Sequence, residues 1–281
     1  MINGVDESGT SIKTLLVFSS LIAGIVFTPD WLIFSKFSVP ISMISLISVF
    51  FAAIIYTIAT YFYFKALDNN DASIVVIMFQ LIPVFSYIIS LLFLKENLTI
   101  QQVIGSIIII ISAIIISLDF KERNNKSKFK ALILMTLSSL FFAIYFILFD
   151  VAIRNSEYNS CAFWYQVGLL LIGIILMCIT SYRITFIRAI KTNGKRYFPL
   201  NITNEAINLI ANLLINFANL TLPIALANVL NGFQGAFVFL LGILGVKLLP
   251  KYFKEDLTKN IVFKKITCIV LSVVGLIIMF M

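Results

Sequence analysis

The chain of 281 residues contains no histidine. That removes the side chain used most often as general base, pH sensor and zinc ligand. Cysteine is scarce: Cys161, Cys178 and Cys268 are odd in number, far apart and without CxxC spacing. Such spacing argues against a disulfide framework or metal cluster and for packing within apolar segments. Charge is thin as well, at 12% of residues, against about 25% in a soluble domain. No acidic residue falls in the middle of an apolar run. Asp119, Asp150, Glu157 and Glu205 stand near run ends, and Glu96 and Glu255 between runs. The first residues carry Asp6 and Glu7 with Lys13 the only nearby base, so the positive n-region expected of a secretory signal is weak.

What fills the chain instead is apolar. Hydrophobic residues make up 60% and mean hydropathy is +1.04, far more than a water-soluble core can hide. The fold class read from this is an all-α integral membrane protein, since runs of about 20 apolar residues in lipid must satisfy their backbone internally as helices. Nine spans are expected, near 12–28, 40–64, 72–94, 101–118, 130–151, 161–181, 203–222, 226–248 and 264–281. The first stops at Thr28-Pro29-Asp30, with Trp31 and Phe34 as interfacial anchors. The net charge of +8 is a topology signal rather than a nucleic-acid one. Assigning Lys and Arg to alternate connections places 18 on one side and three (Lys36, Lys95 and Arg154) on the other. The positive-inside rule then puts the N-terminus in the cytoplasm and the C-terminus outside.

A repeat is legible. Lys95-Glu96-Asn97-Leu98-Thr99 returns as Lys254-Glu255-Asp256-Leu257-Thr258, each before the last span of its half. Upstream lie Gln80 with Pro83-Val84-Phe85 in one copy and Gln234 with Gly235-Ala236-Phe237 in the other. Five spans separate the copies, an odd number, which is the arrangement of an inverted-topology repeat. The organisation expected is a four-helix repeat over 1–120, a basic cytoplasmic linker over 121–130, and a five-helix repeat over 131–281. The first half lacks a counterpart of span 130–151: either that helix was lost, or the start given is internal to a longer product.

These residues carry a resemblance to the EamA-type transporters of the drug/metabolite transporter superfamily. In the first half it rests on Ala66-Leu67, Ala72-Ser73, Gln80-Leu81-Ile82-Pro83-Val84-Phe85, Leu94-Lys95-Glu96 and Gly105. In the second half it rests on Ala225-Leu226-Ala227-Asn228, Asn231-Gly232-Phe233-Gln234 and Lys254-Glu255-Asp256-Leu257. The resemblance implies a ten-helix, five-plus-five fold with both termini cytoplasmic. This chain departs from it by its nine spans, by Gly235 where many members have proline, and by an external C-terminus.

A transporter needs polar groups near the midplane, between repeats. On span 203–222, Asn201, Glu205, Asn208, Asn212, Asn216 and Asn219 fall within an arc of roughly 80° at helical periodicity. An unsatisfied amide in hydrocarbon is costly, so this face meets a wet cavity, or else bonds neighbouring helices as interhelical glue. Asn228 and Asn231 share a face of the next span with Gly235, Gln234 lies to one side, and Gln80 is its counterpart in the first half. Tyr56 and Tyr145 lie deep enough to stack on a solute, whereas Trp164 reads as an anchor. Glu205 is the nearest candidate for proton or cation coupling. The expected cargo is a small polar metabolite such as an amino acid or nucleoside. The lipid bilayer is the other partner, with no nucleic acid, no cofactor and no metal, and a homodimer left open. A translocator of a lipid-linked group and a transport-inactive scaffold are the alternatives, while the constellation of an integral-membrane enzyme is missing. The Ile-, Asn- and Lys-rich composition points to an AT-rich bacterial genome, hence a plasma or inner membrane.

The topology makes a direct prediction. With the native cysteines replaced by serine, an Asn193→Cys chain in whole cells is expected to resist a membrane-impermeant maleimide until the membrane is opened. Labelling of intact cells would reverse the orientation.

Overall fold

The computed structural model describes residues 11–68, 70, 72–89, 99–117, 125–192, 194, 199, 203, 207, 210, 234–248 and 257–281. The described chain is helical nearly throughout, as expected of an all-α membrane protein. In chain order the helices are α1 (Ile12–Phe34), α2 (Met43–Leu67), α3 (Ala72–Met78), α4 (Leu81–Ile89), α5 (Ile100–Ser117), α6 (Asn125–Asn155) and α7 (Tyr158–Cys178). They are followed by α8 (180–192), α9 (Gln234–Leu248) and α10 (Lys259–Phe280). Five stretches among the described residues are long and apolar enough to cross a bilayer: Ile12–Ile33, Met43–Leu67, Phe129–Asn155, Tyr158–Cys178 and Lys259–Phe280. Their apolar side chains point outward as well as inward, Ile25, Ile47, Ile133, Ile175 and Val270 all being exposed. That is a helix meant for hydrocarbon rather than for water.

Two compact units form. One comprises Met1–Tyr61 and Ile144–Asn216, the other Phe62–Ala143 and Phe217–Met281. In the first unit, α1 and α7 run antiparallel at close range. A Cβ on Gly24 would sit 2.6 Å from Leu170 Cβ, and one on Gly173 would sit 2.7 Å from Leu21 Cγ. Each glycine thus receives a leucine of the other helix, the close approach that packing in lipid relies on. At the far end of α1, Phe27 and Trp31 pack with Ala162, and Trp31 meets Tyr158 edge-on at 5.7 Å. This packing explains why α1 runs straight through Pro29 to Phe34 instead of stopping at Thr28. The proline removes one N–H, and the buried Trp31 beyond it holds the turn in place. Past Ser35 the chain turns with positive φ at Lys36 and Phe37, Phe37 N–H reaching back to Leu32 O at 2.9 Å.

In the second unit, α5 and α10 form the corresponding antiparallel pair. A Cβ on Gly105 would come within 2.5 Å of Gly275 O, and one on Gly275 within 2.8 Å of Ile109 Cγ1. Farther along, Ser112 Oγ donates to Cys268 O at 2.8 Å and meets Ser272 Oγ at 2.9 Å. Small residues let the backbones touch, and the serines spend their polar groups across the seam. A second apolar cluster joins α3 with α6 and α10, through Ile74, Val75, Met78, Met135 and Cys268. Cys161 and Cys268 are buried and free, and Cys178 is free and exposed.

The α5–α10 seam yields a stability prediction. Gly105→Val is expected to cost about 1–3 kcal/mol by overpacking, lowering the temperature at which detergent-solubilised protein aggregates. Ile104→Val, on the exposed side of the same helix, is expected to change it little. Equal midpoints for both variants would mean the crossing is loose.

Candidate functional site

The expected single span over 72–94 is interrupted within its described part. Helix α3 ends at Met78 and α4 begins at Leu81, and the turn between them changes to short-range bonding. Phe79 N–H reaches Val76 O at 3.1 Å, Gln80 N–H reaches Ile77 O at 3.2 Å, and Ile82 N–H reaches Phe79 O at 2.9 Å. Pro83 supplies the cause. In an unbroken helix its N–H would bond Phe79 O; proline has none, and its ring crowds that carbonyl. Gln80 lies at this break and is 7% exposed. Beside it, the Phe79 ring is 5.0 Å from Tyr63 and 5.5 Å from Phe142, and Ser139 Oγ donates to Met78 O at 3.4 Å. A discontinuous helix with a buried amide at its break is the geometry that transporters use to present backbone and side-chain polar groups to a solute.

Helix α9 lies against α3. A Cβ on Gly235 would be 3.3 Å from Ile77 Cγ1, so the glycine that replaces the expected proline permits this approach. Gln234, exposed, opens α9, so the helix it opens packs against the helix that ends just before Gln80. Asn208, Asn212, Asn216, Asn228, Asn231 and Glu205 lie outside the described residues.

In the first unit, Tyr56 from α2 and Tyr145 from α6 do come together. Their ring centroids are 5.4 Å apart, edge to face. Tyr165 from α7 completes a triangle, 6.0 Å from Tyr56 and 5.6 Å from Tyr145, and Phe149 flanks it at 5.7 Å. The cluster rests on Val49, Ala52, Ala53 and Cys161, where small side chains leave room for the rings. Tyr165 was not singled out in the sequence. Its neighbour Trp164 stands out in the sequence as an anchor, and only the packing of three helices reveals the third ring. Trp164 Nε1 donates to Val39 O at 3.1 Å, which fixes the loop before α2. Gln166 Oε1 and Ser160 Oγ are buried without a hydrogen-bond partner, leaving acceptor capacity on the helix that bears Tyr165.

Lys265 is the other residue that sequence reasoning missed. Near the start of the expected last span, it lies on α10 at 0% exposure, with Nζ 5.7 Å from the Phe239 ring centroid. Successive helical residues differ by 100°, so one lysine of the pair turns inward. An ammonium inside a membrane protein marks a functional position more often than a structural one. Among the described residues no group of three or more His, Cys, Asp or Glu could hold a metal ion. Outside the spans, burial pushes the Tyr182 phenol above its ordinary value, with Tyr61 adding to the shift.

Residues 7–118 match the EamA-like transporter family, which covers the broken helix and Gln80. A 67-residue stretch is 39% identical to an uncharacterized protein of Methanocaldococcus jannaschii, covering 24% of this chain and 49% of that protein. The match therefore spans about half the length of the relative. EamA-like transporters are membrane transporters, and the long apolar helices described above are those of a membrane protein.

The tyrosine triangle can be tested by subtraction. Tyr165→Ala is expected to cost roughly 3–5 kcal/mol through the lost ring, whereas Tyr165→Phe keeps the packing and is expected to cost under about 1.5 kcal/mol. The check is the thermal midpoint of both purified variants in detergent. If Phe is as damaging as Ala, the hydroxyl rather than the ring carries the contact.

Proposed function

We propose that this chain, whose residues 7–118 match EamA-like transporters, carries a small polar metabolite across the membrane by alternating access. The amides read from the sequence carry the polar contacts to the solute: Gln80, Asn208, Asn212, Asn216, Asn228, Asn231 and Gln234. Tyr56 and Tyr145 are the candidate aromatic contacts, and Glu205 is the nearest candidate for coupling. The observation that carries this reading is the break at Phe79–Gln80, which puts a buried amide where a helix has given up its regular bonds. An uncharged, amide-rich lining favours a neutral or zwitterionic solute such as an amino acid or nucleoside. Cations, by contrast, call for a fixed mid-span carboxylate.

The repeat is supported by which helices touch. The first and last spans of one half meet their counterparts of the other as α1 with α7 and α5 with α10, both antiparallel, and α3 meets α9. An in-plane two-fold between inverted repeats brings equivalent helices together in this antiparallel sense.

The experiment compares metabolites in cells and medium for cultures expressing the wild type, the Asn212→Leu/Asn216→Leu chain, or an empty vector. The wild type alone is expected to redistribute a polar metabolite. The double variant should lose roughly tenfold or more of that flux, because each lost hydrogen bond to a buried polar group is worth about 1–3 kcal/mol. Unchanged flux in a folded double variant would remove the asparagine face from the path. No redistribution by the wild type would turn the reading towards a lipid-linked cargo or an inactive scaffold.

A further inference from the structure

After Cys178 the chain does not enter an irregular basic loop. Ile179 breaks α7 with extended backbone, and its carbonyl accepts the N–H groups of Tyr182 and Arg183, both at 3.0 Å. This starts α8. One side of α8 is sealed against α1, where Phe186 and Ala189 are buried with Val17 and Phe18, and Tyr182 and Ile190 pack around them. Phe18 and Phe186 ring centroids are 4.9 Å apart. Lys13 ties the start of the helix down, donating to Ser181 Oγ at 2.6 Å and lying 5.6 Å over the Tyr182 ring.

The opposite side has an unusual order. At 100° per residue, Arg183, Ile187, Lys191, Ile184 and Arg188 follow one another around an arc of roughly 140°, so cations and isoleucines alternate across it. The three cations are exposed, and Ile184 and Ile187 are 50% and 40% exposed. A face meant for water would not carry two isoleucines at its centre, and a face meant for hydrocarbon would not carry three cations. The combination belongs at the boundary, where isoleucines enter the acyl region and Arg and Lys reach up to phosphate. Ile184, Ile187, Arg188, Lys191 and Thr192 also line a shallow depression of about 330 Å³. It offers a hydroxyl and two cations above an apolar floor.

We infer that the outward face of α8 binds anionic phospholipid. Arg183, Arg188 and Lys191 take the phosphate, Thr192 stands beside the headgroup, and Ile184 and Ile187 cover the first acyl carbons. Charge complementarity selects the occupant, since a zwitterionic headgroup neutralises only part of a three-cation face. Because α8 is fastened to α1 at Phe18 and Lys13, the bound lipid bears on the end of a spanning helix.

The test is native mass spectrometry of the full chain released from micelles containing phosphatidylglycerol and phosphatidylcholine in equal amounts. The wild type is expected to retain phosphatidylglycerol preferentially. Arg188→Gln/Lys191→Gln is expected to lower that retention roughly tenfold, and Ile184→Ser/Ile187→Ser to lower it as well, with helicity unchanged by circular dichroism. A control pair of equal charge loss, Lys247→Gln/Lys259→Gln, is expected to retain lipid as the wild type does. The inference is overturned if the α8 cation pair retains lipid like the wild type, or if the control pair loses as much. It is also overturned if millimolar inorganic phosphate strips the lipid completely, which would make this a phosphate site. A dimer that forms through this face without lipid would overturn it too.

Discussion

Inside hydrocarbon a backbone N–H or C=O has no water to turn to, and each one left unmade costs several kcal/mol. Everything described in this protein is arranged around that constraint. Spans are helical because a helix closes its own bonds, and the two interruptions come with local repair. At Phe79–Gln80 the repair is a change from four-residue to three-residue bonding, with Phe79 O passing from the missing Pro83 N–H to Ile82. At Ile179 it is the reuse of one carbonyl by the first two N–H groups of the next helix. The breaks differ in what they expose. The first holds a buried glutamine next to Phe79, whose ring packs against Tyr63 and Phe142, and the second leads into a helix that keeps cations outward.

The same constraint governs how helices meet. With no hydrophobic drive between helices in lipid, contact area and polar bonds must supply the attraction. Glycine at 24, 105, 173 and 275 brings backbones together, and Ser112 and Ser272 bond across the gap that results. In unit one the aromatic triangle of Tyr56, Tyr145 and Tyr165 does comparable work by area. Three helices contribute one ring each, over a bed of alanines.

Much of this was legible in the sequence. Apolar run length gave the fold class and most helix positions, because the hydrocarbon thickness sets a length that composition alone reports. Gln80 could be singled out, since a polar side chain in an apolar run stands out without any structure. The break beside it was harder: Pro83 is visible, but its effect falls four residues upstream, at the carbonyl it cannot serve. The burial of Lys265 was not legible, because cations at a span edge ordinarily report topology, and only helical phase separates the half-buried Lys264 from the buried Lys265. Tyr165 was invisible for a different reason, since its meaning lies in two other helices. Helix α8 was read as loop because its apolar positions serve two faces at once, against α1 and outward, which erases the single-stripe periodicity that betrays a surface helix.

The reciprocal seating of α1 and α7, with Leu170 over Gly24 and Leu21 over Gly173, also shapes how this sequence can change over time. Neither glycine can grow while its leucine keeps its size, and neither leucine can shrink without leaving a void. The two positions of each pair are thus energetically coupled neighbours, and tolerated changes there come as exchanges of bulk across the seam. In descendants of this chain, the record of that contact would be written as correlated pairs at 21 with 173 and 24 with 170, even where neither residue is itself retained.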